Sequence, residues 1–108
     1  MKRGAIWTAA AGSGHARKPR PVVIVQDDHF ESTDSITVVP LTSDPVEAMF
    51  RIPVEPDDGN GLQVRSRLVV DKLTTIRKSR LGRRLGTLAP DDMRRVDRAM
   101  LVFLGMAG

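Results

Sequence analysis

Cysteine is absent from the 108 residues, which excludes disulfide scaffolds, thiolate nucleophiles, zinc ribbons and iron–sulfur clusters together. Tyrosine is absent as well, and the remaining aromatics, Trp7, Phe30, Phe50 and Phe103, are scattered. That is too thin for a strand platform that stacks bases on closely spaced rings. The two histidines, His15 and His29, show no ligand spacing and are too few for a histidine metal site. No apolar run approaches the ~18 residues of a membrane span. Met1-Lys2-Arg3 followed by Ala5 to Ala11 faintly resembles a secretory leader. Its apolar part is short, contains Thr8 and runs into a glycine-rich basic stretch, so a cytoplasmic protein without membrane association is expected.

Familiar catalytic loops are missing too. Gly12-Ser13-Gly14-His15-Ala16-Arg17 lacks the third glycine of a dinucleotide loop and precedes a strand pattern instead of a helix. There is no phosphate loop, no His-Glu-x-x-His and no nucleophile elbow.

What is present is an ordinary folded composition. Hydrophobic residues make up 41% and charged ones 28%, too apolar for a disordered chain. The length predicts one domain over residues 1–108 with a single modest core. The formal charge of +4 is unevenly distributed. Residues 1–54 carry six bases and six acids, whereas residues 55–108 carry eleven and seven. Lys72, Arg77, Lys78, Arg80, Arg83 and Arg84 follow one another without an intervening acid, a segment suited to a phosphate backbone, an acidic partner or simply solvent.

Arg20 to Gln26 holds the continuous β-branched run Val22-Val23-Ile24-Val25, which predicts a strand buried on both faces. Ser35 to Leu41 reads as a second strand after a polar loop at Asp27–Asp34, and Lys2 to Thr8 as a preceding one. Ser43-Asp44-Pro45 breaks the sheet, Phe50 to Val54 resumes it, and Pro53 there indicates an edge. Asp57-Asp58-Gly59-Asn60-Gly61 is a turn. Leu62 to Ile76, with Val64, Leu68, Val69 and Val70, predicts one or two strands, a helical turn is expected near Lys78, and Arg83 to Leu88 predicts a last strand. Pro90 suits a first helical position, with Asp91 and Asp92 at the positive end of the dipole. Met93, Val96, Met100, Phe103 and Leu104 fall on one helical face, and Gly105 ends the helix. The expected fold is mainly β (α+β): a small antiparallel sheet or half-open barrel with a C-terminal amphipathic helix.

Five short motifs occur in order: Arg3-Gly4-Ala5-Ile6-Trp7; Arg20-Pro21-Val22-Val23-Ile24-Val25; Pro40-Leu41-Thr42-Ser43; Ser66 to Asp71; and Thr75-Ile76 with Arg80-Leu81. Each is weak alone, but the ordered set resembles the MazF/PemK (Kid-like) toxin family from Lys2 to Leu81. The resemblance implies an SH3-like/CcdB-like β-barrel, a homodimer, no cofactor and no metal. It also implies an endoribonuclease that cuts single-stranded RNA at short sequences, paired with an acidic MazE-like antitoxin. The family's catalytic arginine and threonine match Arg20 and Thr42, and its groove positions match Ser66, Asp71 and Thr75. Arg17, Lys18, Ser43 and Lys72 are the expected additional RNA contacts.

Chemistry supports the pair independently. Metal-free RNA cleavage uses the ribose 2′-oxygen as nucleophile, so the protein must align the strand and stabilise charge growing on phosphorus. An arginine opening a rigid strand is a well-fixed phosphate partner, and a threonine closing another can donate to a phosphate oxygen. The bland alternatives are a surface arginine at a strand end, and for Thr42 a hydroxyl bonded to its own turn. Asp71 fits a structural ion pair as well as a groove contact. Two departures stand out. His15-Ala16 occupies the place where relatives often carry Glu-Gln, which makes His15 a candidate general base. Val69 stands where some Kid-like members have a functional arginine. His29 reads as solvated, and Trp7 as core or dimer interface. The competing functions are a CcdB-like gyrase poison, which would lack the Arg/Thr arrangement, and a nucleic-acid-binding regulator without chemistry.

Overall fold

The computed structural model describes residues 1–10 and 18–107. Seven strands precede one helix: β1 (Ala5–Ala9), β2 (Arg20–Ile24), β3 (Ser35–Thr42), β4 (Arg51–Val54), β5 (Ser66–Val69), β6 (Thr74–Arg77), β7 (Leu81–Thr87) and α1 (Pro90–Phe103). Single 3-10 turns lie at Asp28–Phe30, Val70–Lys72 and Lys78–Arg80, the last where a helical turn was expected. The strand order is β4-β5-β3-β2-β1-β7, with β6 also on β3, and every pairing is antiparallel. The long β3 organises the sheet. One edge pairs with β2, while the other pairs first with β6 and then, at Leu41 and Thr42, with β5. Pro53 sits on β4 at the end of the strand order, as its missing N–H requires. The terminal strands β4 and β7 do not pair, so the expected barrel is instead an open, curled sheet.

Both faces of the sheet are covered, which explains the unbroken apolar run in β2. One face buries Ile6, Val23, Val39, Leu41 and Leu68 beneath α1, which inserts Val96 and packs Met93 and Met100 beside it. The other buries Ala9, Val22, Ile24, Ile36 and Val38, flanked by Trp7 and Ile76. Each fully buried Val, Ile or Leu contributes about 1.5–3 kcal/mol against exposure, so two modest clusters hold the strands in register.

Two expectations need correction. Val64 is exposed and precedes β5, which begins only at Ser66, because the turn chemistry of 57–61 extends further than the apolar spacing implied. Phe103 and Leu104, expected on the buried helical stripe, are 42% and 53% exposed. The edge-on ring contact of Phe103 with Phe50, centroids 5.2 Å apart, ties this end of the helix to the segment before β4.

Two polar staples fix the ends. Arg3 donates Nε to the Val25 carbonyl at 2.8 Å and both terminal nitrogens to the Asp97 carboxylate, locking the start of the chain to β2's exit and to α1. Asn60, with no exposed surface, donates to the Glu55 carbonyl at 2.9 Å and accepts from the Asp57 and Leu62 N–H groups. The turn packs so tightly on β7 that a Cβ at Gly86 would lie 2.3 Å from the Gly59 carbonyl oxygen.

Candidate functional site

Arg20 opens β2 and Thr42 closes β3. The register of these strands pairs Val22 with Pro40, and carrying it two residues further sets Arg20 opposite Thr42. Opposed residues of antiparallel strands project from the same face, so positions 22 residues apart in sequence become neighbours.

Arg20 is exposed and borders two cavities. The larger, about 570 Å³, gathers Lys18, Ser43, Ser66 and Arg83 around it. The smaller, about 170 Å³, lies between Arg20 and Arg80 over an apolar floor of Val22, Val38, Pro40 and Ile76, with Thr74 beside it. Among the described residues, four bases and no carboxylate line the two. A concave surface of one sign concentrates field lines and selects a polyanion. The apolar floor adds a place for flat, weakly polar groups such as bases.

Thr42 is half-buried, and its Oγ1 accepts the Asp44 N–H at 3.1 Å. That is the turn contact expected of the bland reading, yet it uses only an acceptor lone pair. The hydroxyl proton has no acceptor among the described residues and can donate to a ligand. Ser66 is nearly buried and gives its proton to the Val64 carbonyl at 3.1 Å, presenting only its oxygen to the cavity.

Other expected site residues are placed differently. Asp71 and Lys72 are exposed in the turn after β5 and border neither cavity; Asp71 makes no ion pair among the described residues. Thr75 lies on β6 with its Oγ1 2.8 Å from Thr37 Oγ1. Alternation along β6 sends it to the opposite side from Thr74, so Thr74 is the threonine beside Arg20. His15 and Arg17 lie outside the described residues. His29 is solvated, its Nδ1 2.6 Å from an Asp27 carboxylate oxygen, and Trp7 packs half-buried against the second apolar cluster.

Sequence reasoning missed Arg67. It pairs directly with Thr42 from the other side, through β5, and is the one charged residue buried among those described, at 5% exposure. The only signal was a base immediately preceding the apolar run Leu68-Val69-Val70.

The profile of the family described as PemK-like, MazF-like toxin of type II toxin–antitoxin systems matches residues 2–104. The chain belongs to this family. A MazF-like relative, the "Probable endoribonuclease MazF" of Mycolicibacterium smegmatis, is 52% identical over 109 residues, covering all of both chains. Among solved structures, an endoribonuclease in complex with its cognate antitoxin from a mycobacterial species superposes with a TM-score of 0.82 at 24% identity, covering 100% of this chain and 98% of that one. The Mycobacterium tuberculosis toxin MazF-mt6 superposes with a TM-score of 0.79 at 25% identity, covering 96% and 99%. These likenesses place the open sheet and terminal helix within the MazF-like fold.

Proposed function

We propose that the chain is the endoribonuclease toxin of a type II toxin–antitoxin pair, cutting single-stranded RNA in the cytoplasm without a metal ion. Arg20 and Thr42 form its catalytic pair. The observation that carries this reading is the register that sets Arg20 opposite Thr42, with Arg20 at the rim of two cavities whose charged lining residues are all bases, together with the relative named an endoribonuclease at 52% identity.

The ribose 2′-hydroxyl attacks the adjacent phosphorus, giving its proton to a base. The P–O5′ bond breaks, and the departing oxygen takes up a proton. The products are a 2′,3′-cyclic phosphate and a 5′-hydroxyl end. Arg20 neutralises the charge growing on the nonbridging oxygens, where a fixed guanidinium acts most strongly. Thr42 donates its free proton to one of them and orients the phosphate. His15 is the base in this reading. Lys18, Arg80 and Arg83 hold the flanking backbone, Arg17 and Lys72 extend the track, and Ser43, Ser66, Asp71 and Thr75 contact the strand.

The toxin acts as a homodimer, and the support for this is the apolar end of α1, where Leu101, Val102, Phe103 and Leu104 are all substantially exposed. Its partner is an acidic MazE-like antitoxin segment that covers the carboxylate-free cavities; a related structure was solved with its cognate antitoxin.

The test is incubation of the purified chain with a long single-stranded RNA in EDTA, followed by end analysis. Discrete cuts, 5′ ends that accept phosphate from a kinase, and loss of cutting in Arg20→Ala are expected. Gel shifts without cuts, or full cutting by Arg20→Ala, overturn the reading.

A further inference from the structure

Arg67 has no role in the chemistry above, and stability does not account for it. Its side chain is 7% exposed, and its charge is met by a single carboxylate: Nη2 donates to Glu47 Oε1 at 2.6 Å. Nη1 donates to the Asp44 carbonyl at 3.4 Å, and Nε is buried with no partner among the described residues. Burying a guanidinium so incompletely satisfied costs more than burying an apolar side chain of similar size, and such pairs are frequently replaceable by hydrophobic residues without loss.

The arrangement makes sense as a brace. Residues 43–49 are exposed and lack regular structure. Between Ser43 and Glu47, the side-chain and backbone bonds reaching another strand among the described residues are those two from Arg67. Asp44 is the relay. Its carbonyl accepts from Arg67, and its N–H donates to Thr42 Oγ1. The Thr42 hydroxyl oxygen is thus tied, through the backbone of the single residue Asp44, to a buried cation on the neighbouring strand.

We propose that Arg67 is a positioning residue for RNA cleavage: with Glu47 as its counter-ion, it holds Asp44 so that the Thr42 hydroxyl points at the scissile phosphate. The proposal rests on the endoribonuclease reading. Arg67 touches no substrate in it, so its removal changes turnover and leaves backbone binding alone. Misplacement of a reacting group by ~1 Å can cost as much as about a hundredfold.

The full chain and its Arg67→Met, Arg67→Lys and Glu47→Gln variants are compared for kcat and KM on a single-stranded RNA oligonucleotide, for salt dependence of RNA binding, and for melting temperature. The expected result for Arg67→Met is native-like melting, kcat lowered about tenfold or more, KM within about twofold, and an unchanged salt slope. Arg67→Lys keeps the charge but cannot reach both acceptors, and it also loses kcat. Glu47 is 78% exposed, so Glu47→Gln folds regardless. It lowers kcat in the same direction and adds nothing to Arg67→Met in the double variant. Wild-type kcat in Glu47→Gln or Arg67→Lys overturns the proposal. So does a loss carried by KM with a salt slope reduced by about 0.7, the signature of a direct phosphate contact on a single strand. If the unmodified chain cuts nothing, the endoribonuclease reading falls and takes this proposal with it.

Discussion

Replacing Thr42 by valine removes a hydroxyl and little else, since the two side chains are nearly isosteric. In the free protein that hydroxyl makes one bond among the described residues, as acceptor for the Asp44 N–H at 3.1 Å. An ordinary hydrogen bond contributes about 0.5–1.5 kcal/mol, and the neighbouring turn is exposed enough for water to replace it, so the stability loss should fall toward the lower end. For a domain of this size about 1 kcal/mol corresponds to a melting shift of roughly 4–8 °C, and the variant should stay within that. In the transition state the same hydroxyl donates to a charged phosphate oxygen. Such a bond contributes about 1.5–3 kcal/mol, which is roughly a 10- to 150-fold reduction in kcat. Thr42→Ser keeps both roles and should recover most of the rate. The assay is single-turnover cleavage of an oligonucleotide, with melting curves of both variants. Thr42→Val cutting at the wild-type rate would falsify the donor role. A loss of rate that Thr42→Ser fails to restore would mean that the methyl group matters instead of the hydroxyl.

Arg83→Gln removes one of the bases bordering the larger cavity. It should weaken RNA binding uniformly across sequences and reduce the slope of log affinity against log salt by about 0.7, measured by fluorescence anisotropy; an unchanged slope removes Arg83 from the backbone track. Gly86→Ala places a Cβ 2.3 Å from a backbone oxygen in the 55–62 turn and should destabilise by about 1–3 kcal/mol in urea unfolding, because neither β7 nor the turn can give way cheaply. The Glu31 carboxyl lies below its ordinary value of 4.5, chiefly because the chain's terminal ammonium donates a hydrogen bond to it. A depressed carboxyl contributes stability above its unfolded value, and that contribution is lost as pH falls through its folded one. Acid unfolding of Glu31→Gln should therefore differ from the parent at neutral pH and converge with it in strong acid; parallel curves throughout would refute the linkage.

The amphipathic helix, the turn at 57–61 and the doubly buried β2 could be read from Pro90, the glycine–asparagine cluster and the run Val22–Val25, because each depends on local turn chemistry or periodicity. The ordered motifs likewise pointed to Arg20 and Thr42 and to the family. What these residues do to one another could not be read in this way. The β2–β3 register, carried two residues past the Val22–Pro40 pair, is what sets Arg20 opposite Thr42. Register also sets the buried Arg67 beside Thr42, and it turns Thr74 instead of Thr75 toward the cavity that Arg20 borders. A strand's sequence specifies which residues alternate, but a slip of one position against its neighbour would exchange the two faces. The choice between those registers belongs to the packing of both apolar clusters at once. The sheet's failure to close has the same origin, since it is decided by where β4 and β7 end up after every intervening strand has paired.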